Sequence, residues 1–395
     1  MTKTRIVCAV LGVLCLVGAG LMAWLVTPKW VARVPDGRAI DRTYEGTFQT
    51  LLDPAALAQG NALAAFKSNV PMKVEQHVKV EKTSGDKALI SDSRTTTAAG
   101  AKVEQTKWDY AVDRQTLEAS AGHPSDWVVI PAQGLTVSWP FGAEKKAYQG
   151  WTPETRTTAT LAYLREEKKQ GLTTYVYQAK APAAKIVDDQ ILAALPKSLP
   201  LTLFKSLGES GALPAAQAGQ LAQILPQLPA EVPLAYAFQD ESTFWVDPST
   251  GLVIDVQRTQ ERIAEIALPT GAAVPLLPVV AATYHDTAAS SQQAADDARH
   301  GATVIHWLGV YLPLILLIVG LLLLAFVVYL WLRGRPSGGQ PATPTGPSQP
   351  GRPTDPTTPT TPTGPTTPTM PTGPTTPSTP SGPTGPSAPS APTTP

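Results

Sequence analysis

The sequence predicts a membrane-anchored α+β protein. An antiparallel β-rich extracytoplasmic domain lies between two terminal transmembrane helices and is followed by a disordered Pro/Thr-rich tail. Three observations predict this. Residues 6–26 and 306–332 are long apolar runs. The middle alternates apolar and polar residues between turn formers, the period of half-buried strands. From Pro341 to Pro395 every third residue is proline.

Residues 1–5 form a short N-terminus carrying Lys3 and Arg5. Residues 6–26 are long enough to span a bilayer. A cleaved signal peptide is the competing reading, but the apolar run is too long and no small-residue cleavage site follows. Both cysteines, Cys8 and Cys15, fall inside this run, so the middle of the chain contains no disulfide. A large extracytoplasmic domain without disulfides suits a bacterial envelope.

Residues 27–305 form the predicted domain. Val70, Met72, Val74, Val78 and Val80 alternate with polar residues, and similar runs cover Ala88–Thr97 and Lys102–Val112. Turn chemistry separates them, which predicts a meander with one wet face. A hairpin is expected from Ala159–Glu167 and Leu172–Lys180 around Gly171. A second meander is expected from Leu234–Gln239, Thr243–Val246 and Leu252–Arg262. Asp53-Pro54 opens a predicted helix over Ala55–Lys67. A helical insertion at about 188–225 is apolar, alanine-rich and cut by prolines. It reads as cover for the β-core, or as a lipid-contacting flap. Thr287–Ile305 is predicted as a polar helical lead-in to the second span.

The second span, 306–332, is uncharged from Trp307 to Leu332, and as a helix would reach roughly 39 Å. Pro313 is expected one turn from its start, where a proline costs least. Trp307, Tyr311, Tyr329 and Trp331 suit aromatic belts, and Arg333 and Arg335 follow at once. Positive-inside counting therefore puts both termini in the cytoplasm of a plasma-membrane protein with two passes. The tail, 333–395, repeats with the three-residue period of polyproline II, a semi-extended spacer or a docking strip for a partner protein.

Formal charge is +0, and with the terminal charges set aside the middle is slightly acidic, which argues against a nucleic-acid partner. None of the five histidines sits in a metal-ligand spacing, and no phosphate-binding, dinucleotide or nucleophile-elbow motif occurs. No catalytic residue, cofactor or metal is therefore expected, and the protein is read as no enzyme. Aromatic residues cluster around Trp139-Pro140-Phe141-Gly142, with Trp127, Tyr148 and Trp151 nearby. A rigid aromatic corner holding Lys145 and Lys146 outward is predicted. Trp139, Phe141, Lys145, Lys146 and Trp151 are the candidate ligand contacts, the lysines toward an anionic head group or wall polymer. On packing alone, Phe141→Ala should cost roughly 3–5 kcal/mol.

Two stretches carry a family resemblance. One runs from Gly134-Leu135 to Trp139-Pro140-Phe141-Gly142, then Lys145-Lys146, Tyr148 and Trp151. The other is Trp245-Val246-Asp247-Pro248, Thr250-Gly251, Asp255 and Thr259-Gln260. With the terminal spans, over roughly Lys3–Arg335, the chain resembles the porin PorA-like family of actinobacterial membrane proteins, whose conserved domain has no assigned activity. The resemblance implies a cell-envelope protein. The residues themselves favour a binding or scaffold role toward lipid, glycolipid or cell-wall components. A porin-like oligomer, as the family name suggests, or an enzyme with an unrecognised site are the alternatives. Two apolar helices offer no polar pore lining, and the strands lack the lipid-facing, aromatic-girdled pattern of a membrane barrel.

Overall fold

The structure, a computed structural model, describes residues 3–53, 56–57, 64–209, 215–268 and 273–333. The tail beyond Arg333 and much of the predicted 55–67 helix lie outside these residues.

Helix α1 (Lys3–Leu21) passes into a π-helical stretch, Met22–Val31. The strands follow: β1 (Ala39–Leu52), β2 (Phe66–Lys67), β3 (Val70–Ser84), β4 (Lys87–Ala98) and β5 (Ala101–Asp113). After a long connection come β6 (Tyr148–Thr152), β7 (Thr157–Lys169) and β8 (Leu172–Lys185). Short helices α2 (Asp189–Leu192), α3 (Leu201–Glu209) and α4 (Ala215–Ile224), with β9 (Ser198–Pro200) between the first two, fill the insertion. Strands β10 (Glu231–Val246), β11 (Val253–Ala267) and β12 (Ala273–Asp286) complete the sheet. Helix α5 (Ala288–His306), a π turn at Trp307–Tyr311 and α6 (Leu312–Arg333) then run on without a break.

The twelve-stranded antiparallel sheet runs β5-β4-β3-β1-β12-β11-β10-β8-β7-β6, with β2 on β1 and β9 on β10. Tight turns form where residues accept positive φ, as at Ala99-Gly100 and Gln170-Gly171. The edges at β5 and β6 are joined through the connection between them. Val112 bridges Ala119, Glu118 bridges Leu135, and Leu135 bridges Gly150 of β6. Further along β5, Ile130 N donates to Asp109 O. The Gln190 side chain takes both backbone groups of Lys107, acting as a one-residue strand. Every stretch of an exposed edge that is paired this way removes a template for aggregation. The sheet therefore curls into a barrel whose two edge strands are linked by this connection.

Three expectations change. Phe66 and Lys67 pair with Leu51 and Leu52 as strand, so the predicted helix does not reach Lys67. Strand β10 is unbroken where two strands were expected, because Gln239–Ser242 keep the ladder with β11. Pro313 lies inside a continuous helix. Its missing N–H is accommodated by the π turn before it, where Leu312 N reaches back to Trp307 O. The insertion covers core: Phe204 and Leu221 are buried against Val232, Ile266 and Leu276.

Helices α1 and α6 pack antiparallel, Arg5 Nη2 donating to Leu330 O at 2.6 Å. A Cβ on Gly320 would lie 2.9 Å from Gly12 O, so glycine permits this close approach. Their other faces are bare Leu, Ile and Val.

Candidate functional site

The barrel interior is divided into storeys by strand register. Along β3 the inward positions read Met72, Val74, Gln76, Val78 and Val80. Strand β4 repeats the scheme, with Asp92 and Arg94 between Ile90 and Ala98. One apolar storey gathers Trp139, Tyr148, Tyr177 and Val256, and the other Ile90, Trp108, Tyr110 and Phe238.

The belt between them is charged. Tyr44 Oη donates to Gln76 Oε1 at 2.6 Å, and Gln76 Nε2 donates to Asp92 Oδ1 at 2.8 Å. Arg94 Nη2 donates to Asp92 Oδ2 at 2.8 Å while its guanidinium lies 5.2 Å over the Trp108 ring. Arg258 Nε donates to Ser242 Oγ at 2.8 Å, and Ser242 Oγ donates to Asp240 Oδ2 at 2.7 Å. Arg262 grips Glu104 across the barrel, Nη2 to Oε1 at 2.9 Å. Arg42 Nε is 3.3 Å from Asp286 Oδ1.

Burial works against the charges of Glu104 and Asp286, and their partners decide the outcome. Burial opposes the Glu104 charge, but Arg262 more than cancels it and holds the carboxyl below the usual range. For Asp286 burial wins over Arg42, and its carboxyl is pushed up to about 6. Glu154 is 7 % exposed and has no ion-pair partner among the described residues. Burial pushes its carboxyl up despite Arg94, Arg262 and Arg258.

A cavity of about 800 Å³ spans the belt, with Trp139 and Val256 of one storey and Ile90, Tyr110 and Phe238 of the other in its lining. Val74, Leu161, Ala179, Phe244 and Val256 give it an apolar wall, and Arg94, Glu154, Asp240 and Arg258 give it a polar patch. Its rim is built by the segments that lead to the two apolar helices. Val31, Arg33, Val34 and Arg38 stand on one side, and Asp297, His300, Val304, Ile305 and Leu308 on the other. Arg114 pins the first segment, donating from Nε to Val34 O at 2.8 Å. Helix α5 is seated on the rim by Ala295 and Ala298 against Ile254, and by Gly301 against Thr250.

The sequence candidates separate. Trp139, Phe141 and Trp151 line the cavity. Trp139 is 4 % exposed and leans on Tyr177 and Phe244, with ring centroids 5.2 and 5.1 Å away. Phe141 is only half-buried, so the expected 3–5 kcal/mol is too large for it. The segment just before it lies tight against Gly251, where a Cβ would fall 2.2 Å from Trp139 O. Lys145 and Lys146 point outward. Lys145 pairs with Glu166 at 2.8 Å and Lys146 with Glu144 at 2.5 Å. Carboxylate contacts in these pairs raise both ammonium groups above their ordinary value. Sequence reasoning missed Arg94, Glu154, Asp240 and Arg258. The signal for three of them is a charge at the inward parity of a strand, as in Ile90-x-Asp92-x-Arg94.

The outer wall shows which solvent the barrel meets. Lys73–Glu75, Lys79–Glu81 and Lys180–Glu241 are exposed pairs on its strands, and hydrocarbon would not accommodate such a surface. Fold and site thus define a class, a water-facing β-barrel with an internal cavity, joined to a membrane by apolar terminal helices. A sequence model of the porin PorA family matches residues 5–329, and the chain belongs to that family. None of the curated proteins matches it in sequence. Family and helices together place the protein in a membrane, in contact with its lipid.

Proposed function

We propose that this is a membrane-tethered binding protein whose barrel takes up a lipid, glycolipid or cell-wall component without converting it. One observation carries the reading: a cavity of about 800 Å³, mostly apolar with one polar patch, whose rim is built by the segments leading to both spans. Volumes of this order hold small-molecule ligands. In the same reading the protein crosses the plasma membrane twice, with both termini cytoplasmic and the barrel outside. Mass spectrometry of lipids co-purifying with the detergent-extracted protein tests it. A bound amphiphile is expected, and weaker retention is expected in Ala179→Phe, which pushes a ring into the cavity. A protein that carries no amphiphile even at low detergent would overturn the reading. Cysteines placed at Gly85 and Thr366 test the topology, since only the first should react with an impermeant thiol reagent on intact cells.

Family membership favours a second reading, a pore. The charged outer wall keeps the barrel out of hydrocarbon, so such a pore would be formed by the spans of several copies. Single-channel conductance of the full-length protein in a planar bilayer would favour it over binding.

A further inference from the structure

We infer that lipid chains pass between the bilayer and the barrel through a slot between the Arg33–Arg38 segment and α5, with the Arg38–Asp297 ion pair as its latch. This rests on the binding reading above and adds the route. The two rim segments are fixed in different ways. Arg114 holds the first through Val34, while α5 is seated on the turns of other strands. Its Ser291 receives Gln170 Nε2 at 3.3 Å, and Arg299 donates to Gln170 O.

Across the gap between them runs an ion pair, Arg38 Nη2 to Asp297 Oδ2 at 2.6 Å. Its two side chains are 37 % and 35 % exposed, and both residues line the cavity. A pair this exposed is weak, which suits a contact that opens without unfolding anything. Below the latch the slot is apolar. Val304, Ile305 and Leu308 line it, and the same helix continues into α6, whose surface is made for lipid. An acyl chain leaving the leaflet nearest the barrel would thus follow an apolar wall from span to cavity. Its head group would pass the latch at the polar rim.

The test uses the full chain with Cys8→Ala and Cys15→Ala, carrying Arg38→Cys and Asp297→Cys, in nanodiscs of phosphatidylglycerol and phosphatidylethanolamine. A fraction of the phosphatidylglycerol bears an acyl-chain diazirine. The cysteines are joined by a short bismaleimide containing a reducible disulfide. After a flash at set times, adducts on barrel peptides are counted against adducts on α1 and α6. The unlinked protein should acquire barrel adducts. Linking should slow them at least about tenfold without changing the helix adducts, and reduction should restore them. The variant Arg38→Asp with Asp297→Arg should behave as wild type, while Asp297→Asn alone should fill faster. Equal filling with and without the link would remove the slot and leave the binding reading intact. A barrel that is never labelled, linked or not, would remove both.

Discussion

Two sides of one barrel interior are built by opposite rules. Around Tyr177 of β8, aromatic rings fill the space. Tyr148 and Tyr163 meet Tyr177 edge-on at 5.8 and 5.9 Å, and Trp139 closes the stack. Beyond these rings the interior is hollow, walled by Val74, Leu161, Ala179 and Val256 and holding Arg94, Arg258 and Glu154. Ring packing of the first kind stabilises a fold directly. Buried ion pairs contribute little net stability, because desolvation offsets their attraction, and an unfilled cavity contributes none. The contrast teaches that the packed side secures the barrel while the hollow side adds little to its stability.

The contrast can be broken first at the packed side. Trp139→Ala should cost roughly 3–5 kcal/mol in chemical unfolding, and Phe141→Ala clearly less. Equal costs would mean that Phe141 is packed as tightly as its neighbour. At the belt, Glu104→Gln keeps an acceptor but strands the Arg262 charge, and should cost about 2–3 kcal/mol. No loss would show the belt to be solvated.

Acid titration sharpens the same point. With its carboxyl at about 6 in the fold, against about 4 in an unfolded chain, Asp286 binds its proton more tightly when folded. Its contribution is therefore fully present below pH 4 and is lost as pH rises through 6, by roughly 1–3 kcal/mol. Arg42, Asp255 and His285 surround it. The wild-type stability curve minus that of Asp286→Asn should show this fall between pH 4 and 6, and a flat difference would refute it. Ala179→Phe, on the hollow side, should change stability by less than about 1 kcal/mol because the new ring has room. The smallest effect belongs outside the barrel. Lys145→Ala with Lys146→Ala should leave the melting temperature where it is, and a clear drop would show that the pairs with Glu166 and Glu144 hold the corner.

Much of the barrel wall was legible because alternation is a local property. Strands β3, β4, β5, β7 and β8 all follow from it, with Gly171 marking its hairpin. The seam was not legible. In β1, Arg42, Tyr44 and Gly46 occupy inward positions and mask the pattern. In β12, Pro275 and Pro278 argue against a strand, yet among the described residues the segment that carries them pairs with β11 alone, and β1 joins from Val280 onward. Closure was hidden for another reason, since single bridges and the Gln190 side chain leave no periodic trace. At the site, aromatic clustering revealed Trp139, Phe141 and Trp151. The belt charges looked like surface residues until the register showed which face was inward.

The register of β1 also governs the order of assembly. Its partners are β3 on one side and β12 on the other, Tyr44 opposite both Val74 and Asp286. A chain made from its N-terminus therefore completes the β1–β3–β4–β5 half while the strand that must seal it does not yet exist. That half waits with one edge of β1 unpaired and the charges of Arg42 and Arg94 without their full enclosure. Unpaired edges on slow, long-range sheets are where chains misassociate. Ribosome-released fragments ending before Ala273 should accordingly be the aggregation-prone form of this protein, and its biogenesis should depend on how fast the last strand follows the first.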